Sequence, residues 1–143
     1  MNQPQIKSFG EWKSPITSEL IVSNSIGLSS VKIDKNNNIY WLESRPQEQG
    51  RNVIIKSNPQ GEKIDLTPTP FNVRTRVHEY GGGAFLITEN KVYFSNFQDQ
   101  QIYSQDLTNL EALPQQLTKA ENWLFADAIL EEKRARLIAV GEY

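Results

Sequence analysis

The apolar positions of the chain fall into short runs separated by turn-forming residues, a pattern typical of β-strands. Three pairs of runs predict hairpins, at residues 28–42, 84–94 and 126–140. Each return strand is a nearly continuous apolar run, which predicts a strand buried on both faces. Only Leu107–Leu113 has some helical character, and Pro114 closes that tract.

Two weaker strand pairs follow the first and second hairpins, at residues 51–66 and 101–118. These pairs end alike, the first in Asp65-Leu66-Thr67-Pro68 and the second in Gln116-Leu117-Thr118-Lys119. Leu66 and Leu117 are 51 residues apart, and Tyr40 and Tyr93 are 53 residues apart. Repeats of about 40–50 residues with four strands each are typical of propeller blades.

The repeat predicts an all-β chain that forms a partial β-propeller of about two and a half four-stranded blades. We assign residues 1–27 to an N-terminal segment, 28–68 and 84–119 to blades, and 124–143 to a half blade. Because closed propellers have about 4–8 blades, we interpret the chain as an incomplete N-terminal propeller domain of a longer protein. A small β-sandwich is the alternative fold.

Large aromatic residues are expected to hold such blades together. We expect Trp12, Tyr40 and Trp41 to be core or blade-packing residues, since large apolar side chains are usually buried. Phe97 and Trp123 are candidates for a surface contact patch.

Composition and charge narrow the classes of partner. The 143 residues include 15 basic and 17 acidic ones, and a net charge of −2 favours neither nucleic acid nor a membrane surface as partner. The chain has no cysteine, which excludes disulfides and zinc–thiolate sites. The first residues lack the apolar stretch of a signal peptide, and no apolar run reaches the length of a membrane span. We therefore expect a cytoplasmic protein.

The densest group of charged, aromatic and glycine residues joins the first repeat to the second. These candidate site residues are Arg74, Arg76, His78, Glu79, Tyr80, Gly81, Gly82 and Gly83. Consecutive glycines permit backbone conformations that are closed to other residues, and loops of this composition often carry function. A purely structural role, in which the glycines shape the entry to a strand, fits the same residues.

The chain does not contain the residues of a complete catalytic or cofactor site. The nucleophile elbow Gly-x-Ser-x-Gly is absent, and His78 is the one histidine. The carboxylates do not occur at metal-ligand spacings, and no glycine-rich phosphate-binding loop is present. We therefore predict no catalytic residue, no metal site and no cofactor.

Five segments follow one another in a characteristic order: Trp12–Ile16, Ile39–Pro46, Gly50–Val53, Phe71–Gly83 and Val92–Asn96. In this succession the chain resembles the N-terminal β-propeller region of prolyl oligopeptidase family serine peptidases, in the branch called dipeptidyl aminopeptidase/acylaminoacyl-peptidase-like. The resemblance covers essentially the whole chain, and its most specific part is Arg74–Gly83.

The resemblance implies a two-domain enzyme, in which an N-terminal propeller covers a C-terminal α/β-hydrolase domain with a Ser, Asp and His triad. The propeller would restrict access to small peptides and contribute substrate contacts. No triad residue can be assigned to this chain, so we expect no catalysis from it alone. Arg76, His78, Glu79 and Tyr80 match a propeller motif that contacts either the substrate or the domain interface.

The expected partners follow from these interpretations. A peptide substrate is expected only in the full-length context, together with the α/β-hydrolase domain that is missing here. The alternative function is a free-standing protein-interaction module, in which two or three chains self-associate through open blade edges to complete a ring.

Overall fold

The computed structural model of the protein describes residues 6–22 and 25–143. Residues 1–5 and 23–24 of the predicted N-terminal segment lie outside the described residues. The described part of that segment contains a short helix α1 (Ser18–Val22), which the sequence pattern did not predict. Thr17 precedes this helix, and its hydroxyl accepts the N–H of Leu20 at 3.1 Å. This hydrogen bond is the usual means by which a threonine begins a helix.

The tract with helical character at residues 107–113 is not a helix but a series of bends and turns. Asp106 precedes it, and its carboxylate accepts the N–H of Thr108 at 2.7 Å and the Thr108 hydroxyl at 2.6 Å. An aspartate that binds the backbone two residues later favours a turn over a helix. The weak periodicity of the tract does not overcome this local competition.

Within the described residues, ten strands form three antiparallel sheets in chain order. The first sheet consists of β1 (Gly27–Ile33), β2 (Ile39–Arg45), β3 (Arg51–Ser57) and β4 (Lys63–Asp65). The second consists of β5 (Phe85–Ile87), β6 (Lys91–Ser95), β7 (Ile102–Asp106) and β8 (Gln115–Gln116). The third consists of β9 (Leu124–Glu131) and β10 (Arg136–Glu142).

Strands that are neighbours in sequence are neighbours in each sheet, as in the meander of a propeller blade. Two four-stranded sheets and one two-stranded sheet follow each other without closing into a ring. The predicted fold class, an all-β partial propeller, is therefore confirmed. No helix in the described part of the chain is long and apolar enough to cross a membrane.

The first hairpin turn is fixed by Asp34. Its carboxylate accepts the N–H groups of Asn36 and Asn38 at 2.8 and 3.0 Å, and the hydroxyl of Tyr40 at 2.9 Å. Burial alone would raise the pKa of Asp34, but hydrogen bonds from Asn38, Tyr40 and Asn36 outweigh it and lower the pKa. The turn thus fixes the start of β2, where the side chain of Tyr40 is buried in the core.

The sequence repeat has a structural counterpart directly after the last strand of each four-stranded sheet. In the first sheet, the N–H of Ile54 donates to the Thr67 hydroxyl at 3.1 Å, and the N–H of Leu66 donates to the Ile54 carbonyl at 2.8 Å. The equivalent bonds in the second sheet, at 2.9 and 2.8 Å, involve Ile102, Thr118 and Leu117. The shared Leu-Thr pair therefore ends both sheets in the same way.

The core lies between the first two sheets and the connecting segment (residues 66–84) that joins them. Its buried residues are Tyr40, Leu42, Ile54, Leu66, Val73, Ala84, Phe85, Val92 and Phe94. The rings of Phe71 and Tyr103 border it, with centroids 5.8 Å from that of Phe94. Tyr40 is buried as predicted.

Of the two tryptophans that were expected to be core or blade-packing residues, one is exposed and the other is half-buried. Trp12 is 57% exposed, so its predicted core position is wrong. Trp41 is half-buried on the side of the first sheet that faces away from the core, where its indole N–H donates to Glu43 at 3.2 Å. Val53 and Ile55, which share that side of the sheet with Trp41, are buried.

The third sheet packs on the second through β9. The Ser95 hydroxyl of β6 donates to the carbonyl of Phe125 at 2.6 Å, and Ala126 is buried. The return strand Leu137–Val140, however, was predicted to be buried on both faces, and this prediction is wrong. Ile138 and Val140 are exposed because no following sheet covers them.

Candidate functional site

The predicted site lies in the second half of the connecting segment, where buried and exposed side chains alternate. Val73, Thr75 and Val77 are buried, whereas Arg74 and Arg76 between them are exposed. An extended backbone directs successive side chains to opposite sides. The segment therefore contributes apolar residues to the core and presents its charges to solvent.

Both neighbouring sheets hold the backbone of this segment. The N–H of Val73 donates to the carbonyl of Asn52 in β3 at 2.9 Å. The N–H of Arg74 donates to the carbonyl of Ser95 in β6 at 3.1 Å. The exposed arginines thus stand on a backbone that is anchored on two sides.

Both arginines lie against one aromatic ring. The guanidinium carbons of Arg74 and Arg76 are 5.0 and 5.5 Å from the ring centroid of Phe97, which is a distance typical of cation–π contacts. Phe97 was a candidate for a surface contact patch, and here it is half-buried beneath the two charges.

Asp99 fixes the turn that follows Phe97. Its carboxylate accepts the side-chain amide of Asn96 and the N–H of Gln101, both at 3.1 Å, and the hydroxyl of Tyr103 at 2.6 Å. Burial and the Asp99 carboxylate raise the pKa of Tyr103 to about 12, so this hydroxyl remains a hydrogen-bond donor at neutral pH.

The next residues form the glycine loop (residues 78–83), which has a tight backbone. His78, Glu79 and Gly81 have positive φ angles of 55°, 60° and 84°. Such angles are costly for residues with a side chain, and functional loops are one place where they occur. The side chains of Glu79 and Tyr80 are exposed, and that of Tyr80 is 98% exposed. Both are available to a ligand or to another domain.

Gly82 and Gly83 lie against the side chain of Asp127 in the third sheet. A Cβ atom on Gly82 would lie 2.5 Å from the Asp127 carboxylate and 3.0 Å from the Cβ of Ala126. A Cβ on Gly83 would lie 2.6 Å from the same carboxylate, which accepts the N–H of Gly83 at 2.8 Å. The contact with Asp127 therefore explains why glycine occupies these two positions, without reference to any ligand.

Asp127 reaches the glycine loop from a β-bulge. The pairing of β9 with β10 shifts between Ile138 and Val140, and Asp127 has a φ angle of 52°. Bulges bend a strand and redirect a side chain. The bulge thus directs a carboxylate from the third sheet at the start of the second.

A second carboxylate of the third sheet holds the other end of the glycine loop. The backbone N–H of His78 donates to Glu142 at 2.5 Å, and the His78 ring nitrogen Nδ1 lies 4.0 Å from the other oxygen of that carboxylate. The side chain of His78 is largely exposed. The loop is therefore anchored at both ends by the half blade.

This arrangement can bind charged or polar groups. It offers the two arginines, the carboxylate of Glu79 and the hydroxyl of Tyr80 on an anchored backbone. Within residues 6–22 and 25–143, no group of three or more His, Cys, Asp or Glu residues is placed to hold a metal ion.

Three residues that shape the site were not among the sequence-based candidates. They are Asp127, Glu142 and Gln100, whose side-chain oxygen accepts the N–H of Arg76 at 2.8 Å. The signal for Asp127 was present, since it is a charged residue inside the apolar run of β9. Glu142 carried no such signal, because its partner His78 is 64 residues away along the chain.

Comparison with known proteins places the fold in context. No protein-family model and no curated protein sequence matches the chain. Among solved structures, it is similar to a puromycin-hydrolysing peptidase of Mycobacterium tuberculosis, with a TM-score of 0.78 and 31% identity. It is also similar to puromycin hydrolase, with a TM-score of 0.76 and 27% identity. A serine-to-alanine mutant of puromycin hydrolase complexed with PGG gives 0.78 and 27%.

The three matches cover 92% of this chain but only 21% of each peptidase chain. The chain is an open, partial propeller that is similar to one region of these peptidases. The predicted resemblance to the propeller region of prolyl oligopeptidase family peptidases is thereby confirmed. The matched proteins are puromycin-hydrolysing peptidases, and the chain spans about a fifth of their length.

Proposed function

We propose that the chain is the propeller part of a serine peptidase that hydrolyses small peptides, where it supports the catalytic domain and restricts substrate access. The match to puromycin-hydrolysing peptidases over 92% of the chain carries this proposal. We assign the Ser, Asp and His triad to an α/β-hydrolase domain outside these 143 residues. A cytoplasmic location is part of the proposal, and the absence of cysteine supports it.

We assign the glycine loop to the side of the propeller that meets substrate in the assembled enzyme. Its backbone is anchored at both ends, while Glu79 and Tyr80 are exposed. A carboxylate held in this way pairs with a protonated amino group through a charge-assisted hydrogen bond. Glu79 is therefore the residue that we expect to contact the free amino group of a small peptide.

The absence of catalysis from the chain alone is directly testable. The purified 143-residue chain is incubated with aminoacyl and acyl-aminoacyl chromogenic substrates, and release of the chromophore is followed. We expect no turnover. Turnover that persists through stringent purification at constant specific activity would contradict this part of the proposal.

The gating role is tested in a chimera. The matched segment of the Mycobacterium tuberculosis peptidase is replaced by this chain, and kcat and KM are measured with a small peptide that has a free amino group. We expect an active chimera in which Glu79→Gln raises KM about tenfold, since one charge-assisted contact is lost. Glu111→Gln, an exposed acid between β7 and β8, is the matched control.

Two results would contradict the gating role. One is a folded chimera that hydrolyses large and small peptides equally well, because the propeller would then not restrict access. The other is a Glu79→Gln variant with unchanged kinetics and a lowered Tm, because the glycine loop would then serve only the fold.

A second candidate function is a self-associating interaction module. Apolar side chains at both ends of the open arc support it: Leu28, Val31 and Ile33 in β1, and Ile129, Ile138 and Val140 in the third sheet. Uncovered apolar faces and free strand edges favour association. Light scattering decides, since a discrete dimer or trimer that unfolds cooperatively favours this function, and a monomer contradicts it.

A further inference from the structure

Arg74 and Arg76 differ from every other arginine of the chain in their partners. The other four each pair with a carboxylate: Arg45, Arg51, Arg134 and Arg136. In the described part of the chain, neither Arg74 nor Arg76 has an acidic partner within ion-pair distance. Two positive charges on one face are thus left without a negative charge.

These two guanidinium groups are held in place before any ligand arrives. Both stack on the ring of Phe97, at 5.0 and 5.5 Å from its centroid. An arginine on an aromatic face keeps its N–H groups free for hydrogen bonds in the plane of the guanidinium. Contact with one ring therefore holds both guanidinium groups within 5.5 Å of the same ring centroid and limits the side-chain entropy that binding would cost.

A buried glutamine fixes Arg76 relative to Phe97. Gln100 is only 2% exposed, and its side-chain oxygen accepts the N–H of Arg76 at 2.8 Å. Its side-chain nitrogen donates to the carbonyl of Phe97, also at 2.8 Å. A buried amide that uses both ends in this way determines the spacing of the arginine backbone and the aromatic ring.

We propose that Arg74 and Arg76, held on Phe97, bind a carboxylate of a peptide ligand. A pair of adjacent guanidinium groups matches a carboxylate in both charge and hydrogen-bond geometry. The choice of a peptide as ligand rests on the proposed peptidase function, because every small peptide has a C-terminal carboxylate. The site itself requires only the contacts described above.

The experiment measures binding to the full 143-residue chain, and NMR chemical shifts are the readout. The probe is N-acetyl-dialanine with a free C-terminal carboxylate, and its C-terminal amide is the uncharged comparison. The amide signals of Arg76 and the side-chain amide signals of Gln100 report on the site. We expect the free acid to shift these signals and the C-terminal amide to leave them unchanged.

Matched variants locate the binding. Arg74→Ala together with Arg76→Ala should weaken binding of the free acid at least about tenfold. Arg134→Ala together with Arg136→Ala removes the same charge at the same spacing, but both of those arginines already pair with Glu131. This control should bind the free acid as the unmodified chain does.

A second pair of variants separates geometry from charge. Arg74→Lys together with Arg76→Lys keeps both charges but loses the planar donors, so an intermediate loss of affinity is expected. Phe97→Leu should weaken binding as well, because the guanidinium groups lose the ring on which they stack.

The proposal is overturned if the C-terminal amide shifts the signals as much as the free acid does, or if the Arg134 and Arg136 variant loses as much affinity as the Arg74 and Arg76 variant. Absence of binding to the unmodified chain also overturns it. Because this measurement does not depend on turnover, its failure is distinguishable from an inactive chimera, which would count against the proposed function instead.

Discussion

The two interfaces between consecutive sheets use the same local bonds but differ in burial. The first sheet ends in Leu66 and Thr67 and the second in Leu117 and Thr118, with the same hydrogen-bond pattern. Leu66 is 3% exposed, whereas Leu117 is 48% exposed. Identical backbone roles therefore do not produce identical environments.

The connections between the sheets account for this difference. The connecting segment between the first two sheets spans residues 66–84 and contributes Val73 to the core and Phe71 to its border. Residues 117–123 link the second sheet to the third and contribute Trp123, which is 41% exposed. A groove with a volume of about 440 Å³ remains between the second and third sheets, where Leu117, Phe125 and Leu137 line it.

The hydrogen bonds of the strand repeat therefore recur independently of how deeply the repeated residues are buried. Hydrogen bonds within a sheet depend on residues of that sheet, so they recur with the sequence. Burial depends on what covers a face, so it recurs only where a neighbouring sheet and a long connection are both present. The following predictions test this difference, from the largest expected effect to the smallest.

Removal of an aromatic ring should cost far more at the first interface than at the second. Phe94→Ala should lower the free energy of unfolding by about 3–5 kcal/mol, because Phe94 is buried between Phe71 and Tyr103. Phe125→Ala at the half-buried second interface should cost about 1 kcal/mol. Urea denaturation measures both, and equal losses would contradict the comparison.

The repeated threonines offer a sharper test, because they make the same bond. Thr67→Val leaves the buried N–H of Ile54 without an acceptor and should cost about 1–3 kcal/mol. Thr118→Val should cost about 0.5 kcal/mol, since Thr118 is half-buried and water can reach the N–H of Ile102. Equal melting temperatures of the two variants would show that burial does not separate the sites.

The glycine loop tests the contact between the second and third sheets. Gly83→Ala places a Cβ atom 2.6 Å from the Asp127 carboxylate and should cost about 1–2 kcal/mol. Gly27→Ala is the control, because its Cβ would lie 3.5 Å from the nearest side-chain atom. Thermal unfolding compares the two, and a Gly83→Ala variant as stable as Gly27→Ala would show that this contact is not close.

Ion pairs at the two ends of the arc should differ in their pH dependence. Hydrogen bonds from Arg45, at 2.6 and 2.9 Å, lower the pKa of Asp65. Because the pKa is lower in the folded chain, this stabilisation is present above the unfolded value of about 4 and is lost as the pH falls below it. Asp65→Asn should therefore cost about 0.5–1 kcal/mol at pH 7, since Asp65 is half exposed.

The control for this experiment is Glu131→Gln in the third sheet, whose arginine partners are mostly exposed. We expect it to change stability at pH 7 by no more than about 0.5 kcal/mol. Urea denaturation at pH 7 and pH 3 compares the variants with the unmodified chain. If Asp65→Asn costs as much at pH 3 as at pH 7, the ion pair does not stabilise the fold.

Much of the fold was predictable because the signals for strands and turns are local. The Asp34 turn lies within six residues of the groups that it binds, and the Leu-Thr pairs lie within 16 residues of their partners. Burial was less predictable. Leu137–Val140 has the pattern of a fully buried strand, but one of its faces is open because no sheet among the described residues covers it.

The candidate site could be named from the sequence, but its geometry could not. The residues from Arg74 to Gly83 stood out by composition, and the structure shows that they have different environments. Gly82 and Gly83 accommodate Asp127, whereas Arg74 and Arg76 stack on Phe97. These partners come from other sheets, so no spacing within the motif could have indicated them.

By itself, the sequence determined that the chain is all-β, that its four-stranded unit repeats, and that one segment concentrates charge and glycine. These properties follow from side-chain periodicity and turn chemistry, which act over a few residues. Tertiary packing decides which repeated leucine is buried and which glycines lie against Asp127. It also decides which arginines have an acidic partner among the described residues. Those outcomes depend on contacts between residues far apart in the chain, and such contacts exist only once the sheets have packed.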